Sequence, residues 1–258
     1  MTGKLSSDQL FEFLLQDAQA NFFGWDFSYI EGREAQAPLR WSYISEALTL
    51  VRSSTVLLDM DTGGGEIFSR FAPFPALTYA TEAYPPNLPI AKAKLEPLGV
   101  QVIPLDQEEP KQLLFEDEMF DLILNRHGYY WAPEIARLLQ QGGIFLTQQV
   151  GNRNDIGIRQ LLDAPDAGVI EEWDDLDNAA SDLEKSGLTI LKRLEDYYPQ
   201  RFYDVGAIVY QLKAIPWQIP DFTVVKYFDR LKRVHERIQK RGFVEVEEHR
   251  FLILAVKN

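Results

Sequence analysis

Short apolar segments alternate with amphipathic ones through the middle of the chain, and this alternation predicts parallel strands separated by helices. Five apolar runs of strand length carry the sequences TVLLDM, ALTYATE, VQVIPL, FDLILN and GIFLTQQV. Helices are predicted between them at 66–71, 87–95 and 133–139. Continuous apolar runs are typical of strands that are covered on both faces of a sheet. We therefore predict an α/β fold with a doubly wound, mostly parallel sheet.

The first part of the chain has helical periodicity at 7–19 and 38–51. Because both helices precede the first convincing strand, residues 1–54 are predicted to form a helical N-terminal cap. Residues 55–258 then form a single domain whose ligand-binding core lies at 55–151.

Towards the C-terminus, the pattern predicts two more strands, LTILKRLEDYY and HRFLILAV, which bring the sheet to seven. Between them, 204–212 has helical spacing together with β-branched residues that also allow a strand. The stretch 222–239 is strongly amphipathic and predicts a helix. A helical insertion at about 204–241 is therefore expected before the final strand.

A glycine-rich turn follows the first predicted strand, in the sequence LLDMDTGGGE. Gly63, Gly64 and Gly65 allow the backbone to turn sharply and to approach a ligand closely. The helix predicted after the turn would point its free N–H groups at that ligand. Neither the Gly-Lys-Ser/Thr of a P-loop nor the G-x-G-x-x-G of a dinucleotide site is present.

Three carboxylates, those of Asp59, Asp61 and Glu66, lie within eight residues around this turn. They oppose a pyrophosphate by like-charge repulsion, which disfavours an NAD-dependent oxidoreductase. S-adenosylmethionine has no phosphate and carries two positive groups, a sulfonium and an ammonium. The acidic turn therefore suits this ligand better than a nucleotide with phosphates.

Polar residues also follow the next two predicted strands, at the sheet edge where ligands of open parallel sheets bind. Glu82, with Ala83 beside it, ends the second strand, where an acid accepts hydrogen bonds from ribose hydroxyls. Asp106 follows the third strand and is expected to reach an adenine amino group.

The fourth predicted strand ends in Asn125, Arg126 and His127. Asn125 is expected to bond the cofactor or the substrate, and Arg126 to line the substrate pocket together with Gln148 of the fifth strand. His127 is the candidate catalytic base, since the pKa of histidine lies near the working pH. The other interpretation is a loop histidine that is exposed or held by hydrogen bonds.

An aromatic stretch in the first thirty residues, NFFGWDFSYI, supplies two further candidates. Trp25 and Tyr29 would cover the cofactor or shape an apolar substrate pocket. Packing between the cap and the sheet would explain the same residues.

The order of these elements resembles the successive motifs of class I, Rossmann-like methyltransferases that depend on S-adenosylmethionine. The resemblance covers about 55–151 and rests on Asp59 with the glycine-rich turn, Glu82, Asp106, the FDLILN strand and the LLQQGG turn. It implies that the turn and its acid hold the methionine part of the cofactor. It also implies that the acid after strand two holds the ribose, that the end of strand four faces the substrate, and that S-adenosylhomocysteine is the product.

One position departs from that family's D-x-G-x-G-x-G run, because Asp61 stands at its first glycine. This departure keeps open a protein that binds S-adenosylmethionine without catalysis. More loosely, the chain resembles bacterial methyltransferase-domain proteins whose substrate is unassigned, and we expect a small-molecule acceptor.

The charge and the composition of the chain limit the classes of partner that we expect. The net charge of −13 opposes a phosphate backbone, which disfavours RNA as the substrate. An RNA methyltransferase nevertheless remains an alternative, because 226–241 carries seven basic residues. The chain has no cysteine, and His235 and His249 lack the acid–histidine spacing of a metal site. No apolar run is long enough for a signal peptide or a membrane span, so a cytoplasmic protein is expected.

Overall fold

A computed structural model describes residues 6–22, 25–105, 112–165, 167–168 and 175–258 of the chain. The helices are α1 (Ser7–Leu15), α2 (Tyr43–Val51), α3 (Leu88–Leu95), α4 (Ala132–Leu138), α5 (Ile156–Leu161), α6 (Leu176–Lys185), α7 (Val205–Ala214) and α8 (Phe228–Arg241). The strands are β1 (Glu34–Gln36), β2 (Val56–Met60), β3 (Leu77–Glu82), β4 (Gln101–Pro104), β5 (Phe120–Arg126), β6 (Leu139–Val150), β7 (Leu188–Phe202) and β8 (Val244–Lys257). The predicted α/β class is confirmed.

The described strands form one sheet of eight, in the order β1-β7-β8-β6-β5-β2-β3-β4. The pairings among β2, β3, β4, β5 and β6 are parallel. β8 lies antiparallel between β6 and β7, and it completes the predicted seven strands. The eighth strand, β1, comes from the segment predicted to be a helical cap and pairs with the outer edge of β7. Its three residues are too few for a visible alternation of apolar and polar positions.

Successive residues of the central strands contribute to two different cores, because side chains alternate between the faces of a sheet. Leu57 and Leu122 pack with α2 and α3 on one face. Leu58 and Ile123 pack with α4 and α6 on the other. Covering of both faces is the arrangement that the continuous apolar runs predict.

A third core joins the beginning of the chain to its C-terminal helices. Phe11 of α1 packs with residues of α7 and α8, among them Val209 and Leu231. The segment 205–214 is therefore a helix, which resolves the two alternatives that its sequence left open. α7 and α8 lie between β7 and β8, where a helical insertion was expected. The division of the chain into two units at residue 54 stays a prediction.

The prediction of a helix at 66–71, directly after the glycine-rich turn, is wrong in its extent. In its place is a single 3₁₀ turn, Phe68–Phe71. Pro73 and Pro75 follow within a few residues, and proline has no N–H to donate and disfavours helical backbone in the residue before it. The turn therefore has no long helix behind it whose N-terminus would face a ligand.

None of the helices in the described ranges combines the length and the apolar composition that crossing a membrane requires.

Candidate functional site

The candidate residues lie where β2, β3, β5 and β6 end side by side. In register, Asp59 pairs with Ala80 of β3 and with Leu124 of β5. One step further along, Asn125 pairs with Met60 and with Thr147. Because all four strands are parallel, the loops that leave them meet at one edge of the sheet.

Asp61 has a φ of 53°, the left-handed backbone that glycine adopts without strain. Aspartate tolerates this conformation better than most residues, since its short side chain bonds nearby backbone. Here the Asp61 carboxylate accepts a hydrogen bond from the Tyr129 backbone N–H at 3.0 Å. The residue that departs from the family's glycine run therefore keeps the backbone shape of a glycine, and its side chain ties the turn to the loop after β5.

Neighbouring side chains lie close to two of the glycines in the turn. A Cβ at Gly63, whose φ is 64°, would lie 2.9 Å from the Trp25 Cδ1. A Cβ at Gly65, whose φ is 77°, would lie 2.8 Å from the Leu95 Cγ. The turn is thus held between α3 and Trp25 of the aromatic stretch, and the pocket role of Trp25 stays a prediction.

The acidic character of the site comes from Asp59, Asp61 and Glu82. Burial raises the pKa of Asp59 to about 7, and the nearby carboxylates of Asp61 and Glu82 add to the rise. Burial and the charge of Glu82 raise the pKa of Asp61 to about 6. Burial also raises the pKa of Glu82. Three acids that resist ionisation together are poised to accept a positively charged ligand, which would restore their negative charge.

Glu66 does not belong to that cluster. Its carboxylate pairs with the Lys94 ammonium at 3.1 Å and folds back over Gly64, where an added Cβ would collide with the Glu66 Oε1. From the sequence, Glu66 was expected to join Asp59 and Asp61 in repelling a pyrophosphate. In the structure, Glu82 is the third carboxylate of that cluster.

Glu82 ends β3 with its carboxylate held by backbone. Its Oε1 accepts from the Tyr84 N–H at 2.7 Å, and the backbone amides of Gly63 and Ala83 also lower its pKa. These bonds orient a buried carboxylate at the strand end predicted to meet a ribose. Ala83 borders that carboxylate through its backbone.

Asn125 is fully buried between the strand ends. Its Oδ1 accepts from the Thr147 Oγ1 at 3.0 Å and from the Gln149 Nε2, and its Nδ2 lies 3.4 Å from the Met60 carbonyl. The side chain predicted to bond a ligand thus links β2, β5 and β6 to one another.

A chain of hydrogen bonds connects Trp41, Gln148 and His127. The Trp41 Nε1 donates to the Gln148 Oε1 at 2.9 Å, and the Gln148 Nε2 lies 3.0 Å from the His127 Nε2. An indole N–H can only donate, so the amide oxygen must face Trp41 and the amide N–H₂ must face His127. The His127 Nε2 therefore accepts, and the ring proton lies on Nδ1.

The electrostatic surroundings of His127 favour the neutral ring. The surrounding protein lowers the pKa of His127 well below its usual range, and the Arg126 and Arg250 cations lower it further. The His127 side chain is nevertheless exposed to solvent. Its backbone has a φ of 61°, and its N–H donates to the Gln148 carbonyl at 2.8 Å. The strained loop after β5 thus presents a neutral imidazole at the edge of the site.

Buried polar oxygens near the turn have no hydrogen-bond partner in the described part of the chain. They are Asn87 Oδ1 and the Tyr43 hydroxyl. Protein interiors rarely leave such atoms unpaired. Thr62, within the turn itself, bonds the Asp59 carboxylate, and the Asn87 side chain lies beside Glu82. These residues fit a cofactor with ribose hydroxyls and a charged amino acid end.

One predicted residue, Tyr29, lies elsewhere, and another cannot be placed. Tyr29 stacks on Tyr210 at 4.7 Å and donates to Asp17, so its described contacts belong to the core around α1 and α7. Asp106 lies outside the described residues. Among the described histidines and acids, no group of three or more could hold a metal ion.

Sequence reasoning missed Lys94, which reaches the turn from α3 through Glu66. The sequence left Trp41 and Tyr43 with the same two interpretations as the aromatic stretch, pocket residues or core packing. Trp41 and Tyr43 stand at the start of α2, a helix predicted only as part of the cap.

Comparison with known proteins agrees with this geometry. The sequence model of a family described as a methyltransferase domain matches residues 58–147. No curated protein sequence matches the chain. A candidate methyltransferase from Bacillus halodurans C-125 has a similar structure, with a TM-score of 0.59 and 20% sequence identity over 84% of this chain and 99% of that chain.

Two further solved structures share the fold. The YcgJ protein of Bacillus subtilis has a TM-score of 0.54 and 16% identity over 83% of this chain and 97% of its own. A functionally unknown protein from Deinococcus radiodurans R1 has a TM-score of 0.56 and 17% identity over 87% and 91%. The matched segment contains the glycine-rich turn, Glu82 and the end of β5. Residues 58–147 therefore match a methyltransferase-domain family, and the chain shares its fold with a solved candidate methyltransferase.

Proposed function

We propose that the chain transfers a methyl group from S-adenosylmethionine to a small-molecule acceptor. The observation that carries this proposal is the acidic cluster of Asp59, Asp61 and Glu82 beside the glycine-rich turn. When bound, the cofactor supplies a methyl group that its sulfonium has already activated. The protein then has to hold the acceptor about 3 Å from that methyl group and exclude water.

Particular residues suit particular parts of the cofactor. Asp59 and Asp61 supply negative charge for the amino acid end. Glu82, with Asn87 beside it, supplies acceptors for the ribose hydroxyls. Trp25, packed on Gly63, covers the turn and excludes water from it.

His127 is proposed to contact the acceptor as a hydrogen-bond donor. Its Nε2 is occupied by Gln148, so the ring presents its Nδ1–H. A general base needs a free lone pair, and two nearby arginines make protonation of this ring costly. The geometry therefore favours positioning of the acceptor over removal of its proton.

A calorimetric titration tests the proposal. The wild-type protein should bind S-adenosylhomocysteine, and Glu82→Gln should weaken that binding about tenfold, the effect of losing about 1.4 kcal/mol. Glu66→Gln is the matched control, because Glu66 lies in the same turn but is already paired with Lys94. Absence of heat at ligand concentrations of about 1 mM, or an equal loss in both variants, would contradict the assignment.

The alternative of an RNA substrate is weakened by the neighbours of the basic helix. Lys232 pairs with Asp8 at 3.2 Å and Arg233 with Asp163 at 2.6 Å. Lys226 lies before α8 and pairs with Asp221. Three of the seven basic side chains are thus already compensated by carboxylates. Salt-dependent RNA binding that disappears when Arg233 and Arg237 are neutralised would restore this alternative.

The alternative of binding without catalysis rested on Asp61. Since Asp61 keeps a glycine-like φ, the turn retains its shape, which favours an active enzyme. The non-catalytic alternative predicts affinity for S-adenosylmethionine without release of S-adenosylhomocysteine when pools of small metabolites are added. The cytoplasmic location stays a prediction from sequence.

A further inference from the structure

Arg126 differs from the other half-buried arginines of this fold. Arg33 pairs with the carboxylates of Asp17 and Asp204, and Arg137 pairs with those of Glu134 and Asp117. Among the described residues, Arg126 donates no side-chain hydrogen bond and makes no ion pair within 4.0 Å. A half-buried guanidinium without a partner destabilises a fold, so its presence calls for a ligand.

Two tyrosine hydroxyls near Arg126 are also unpaired. The Tyr43 hydroxyl is buried with no hydrogen-bond partner among the described residues. Tyr198 is buried, with 6% of its surface exposed. Its hydroxyl makes no hydrogen bond to any of the described residues. Both lie close enough to Arg126 for its charge to act on their ionisation. Three donors, one of them cationic, thus share a small region on one face of the sheet.

The acids near this region are held by other groups. Glu248 pairs with Arg250 at 3.1 Å, and Asp196 pairs with Arg40 at 3.1 Å. The carboxylate of Asp59 lies beyond the 4.0 Å reach of an ion pair with Arg126. The region therefore lacks an acceptor for its donors.

The carboxylate group of a ligand would supply the missing hydrogen-bond acceptor and the missing negative charge. The planar guanidinium of arginine binds a carboxylate through two parallel N–H···O bonds, and a phenol hydroxyl adds a third donor. Arg126 follows Asn125, which pairs in register with Met60 at the end of β2, so the region adjoins the proposed cofactor site. Trp41 also reaches this neighbourhood, because it donates to Gln148, which pairs in register with Arg126.

We infer that Arg126, with the Tyr43 hydroxyl, is the subsite for a carboxylate group of the methyl acceptor. The methyl acceptor is then a small carboxylic acid. Its nucleophilic atom faces the glycine-rich turn, and its carboxylate faces Arg126. The inference rests on the proposed function and names the chemical class of its substrate. The amino acid end of the cofactor also carries a carboxylate. The experiment must therefore distinguish the carboxylate of the acceptor from that of the cofactor.

The test uses benzoate as the probe and benzamide as its neutral counterpart, each titrated into protein saturated with S-adenosylhomocysteine. We expect benzoate to bind at least about tenfold more tightly than benzamide, since one charged pair is worth that factor. Arg126→Gln should abolish the preference, and Arg126→Lys should keep part of it. Arg70→Gln, at an exposed arginine of the 3₁₀ turn, should leave it unchanged.

A thermal melt of the same variants separates ligand binding from a structural role. Arg126→Gln should melt at the same or a higher temperature, because it removes an unpaired half-buried charge. A lower melting temperature together with a retained preference for benzoate would overturn the inference.

Three further outcomes would also overturn it. Equal binding of both probes to the wild type, with S-adenosylhomocysteine bound normally, would overturn the subsite alone. Benzoate that binds the ligand-free protein but is displaced by added S-adenosylhomocysteine would assign Arg126 to the cofactor's own carboxylate. Failure of S-adenosylhomocysteine to bind at all would overturn the proposed function, and the acceptor assignment with it.

Discussion

The side-chain amide of Gln148 donates to the imidazole of His127 across 3.0 Å, and it can do so in one orientation only. The indole N–H of Trp41, 2.9 Å from the other end of the amide, fixes which atom faces the ring. A residue of the N-terminal part of the chain therefore determines the tautomer of a histidine in the candidate site.

Gln148→Glu should reverse this arrangement. A carboxylate at this position accepts from both Trp41 and His127, so the His127 Nε2 must carry a proton and the pKa of His127 should rise by at least about one unit. NMR titration of the imidazole resonances can measure this, because the chain has three histidines. Gln149→Glu is the neighbouring control. An unchanged pKa in Gln148→Glu would contradict the hydrogen-bond chain.

Asp59→Asn should stabilise the ligand-free protein in a pH-dependent way. The pKa of Asp59 is about 7 in the fold against 3.8 in the unfolded chain. Between these values the folded state keeps a proton that the unfolded state releases, so stability falls as pH rises through that range. The variant should gain up to about 4 kcal/mol at pH 8 and less than about 1 kcal/mol near pH 4.

Urea unfolding at both pH values measures that gain. Asp182→Asn, at an exposed acid on α6, controls for the loss of a negative charge at the surface. An equal gain at both pH values, or a loss at pH 8, would show that Asp59 is not held in its protonated form.

The affinity for S-adenosylmethionine should rise with pH more than that for S-adenosylhomocysteine. The pKa values of Asp59 and Asp61, about 7 and about 6, are raised, so both carboxylates gain charge between pH 5 and pH 8. The sulfonium is the only charge that distinguishes the two ligands. Their affinity ratio, measured by calorimetry, should therefore grow about tenfold over this range. A constant ratio would place the sulfonium away from these acids.

Gly63→Ala should weaken cofactor binding and destabilise the fold. Its φ of 64° costs an alanine about 1 kcal/mol, and the new Cβ would lie 2.9 Å from Trp25. Gly99→Ala is the matched control, since Gly99 has a φ of 86° with no atom within 4 Å of its Cβ. The extra loss in Gly63→Ala over Gly99→Ala measures the contact with Trp25. Equal losses in stability and unchanged binding would contradict a role for this contact.

The sequence was sufficient to predict the sheet and the acids at its edge. Apolar runs identify strands that are buried on both faces, and a parallel sheet brings their ends together, so Asp59, Glu82 and Asn125 could be placed near one another. The partners of these side chains could not be predicted in this way. Lys94 neutralises Glu66 from α3, and Trp41 holds Gln148 from the start of α2. Such pairs depend on how helices pack over the sheet, which periodicity does not specify.

Local sequence also misled at one point. The residues after the glycine-rich turn have the apolar spacing of a helix, but the prolines that follow limit it to Phe68–Phe71. In this segment the positions of the prolines, and not the spacing of the apolar residues, determine the length of the helical turn.

The short strand β1 pairs with the last three residues of β7, at the open edge of the sheet. Beyond that pairing, the N–H of Ala37 donates to the Pro199 carbonyl at 2.9 Å, and Pro199 itself has no N–H to offer. Further along β7 the edge carries Lys192 and Arg193, and charged residues on an edge strand oppose the addition of another strand. The longest strand of the sheet is thereby a poor template for a second molecule, and the fold is protected against edge-to-edge aggregation by the same segment that brings Trp41 to the site.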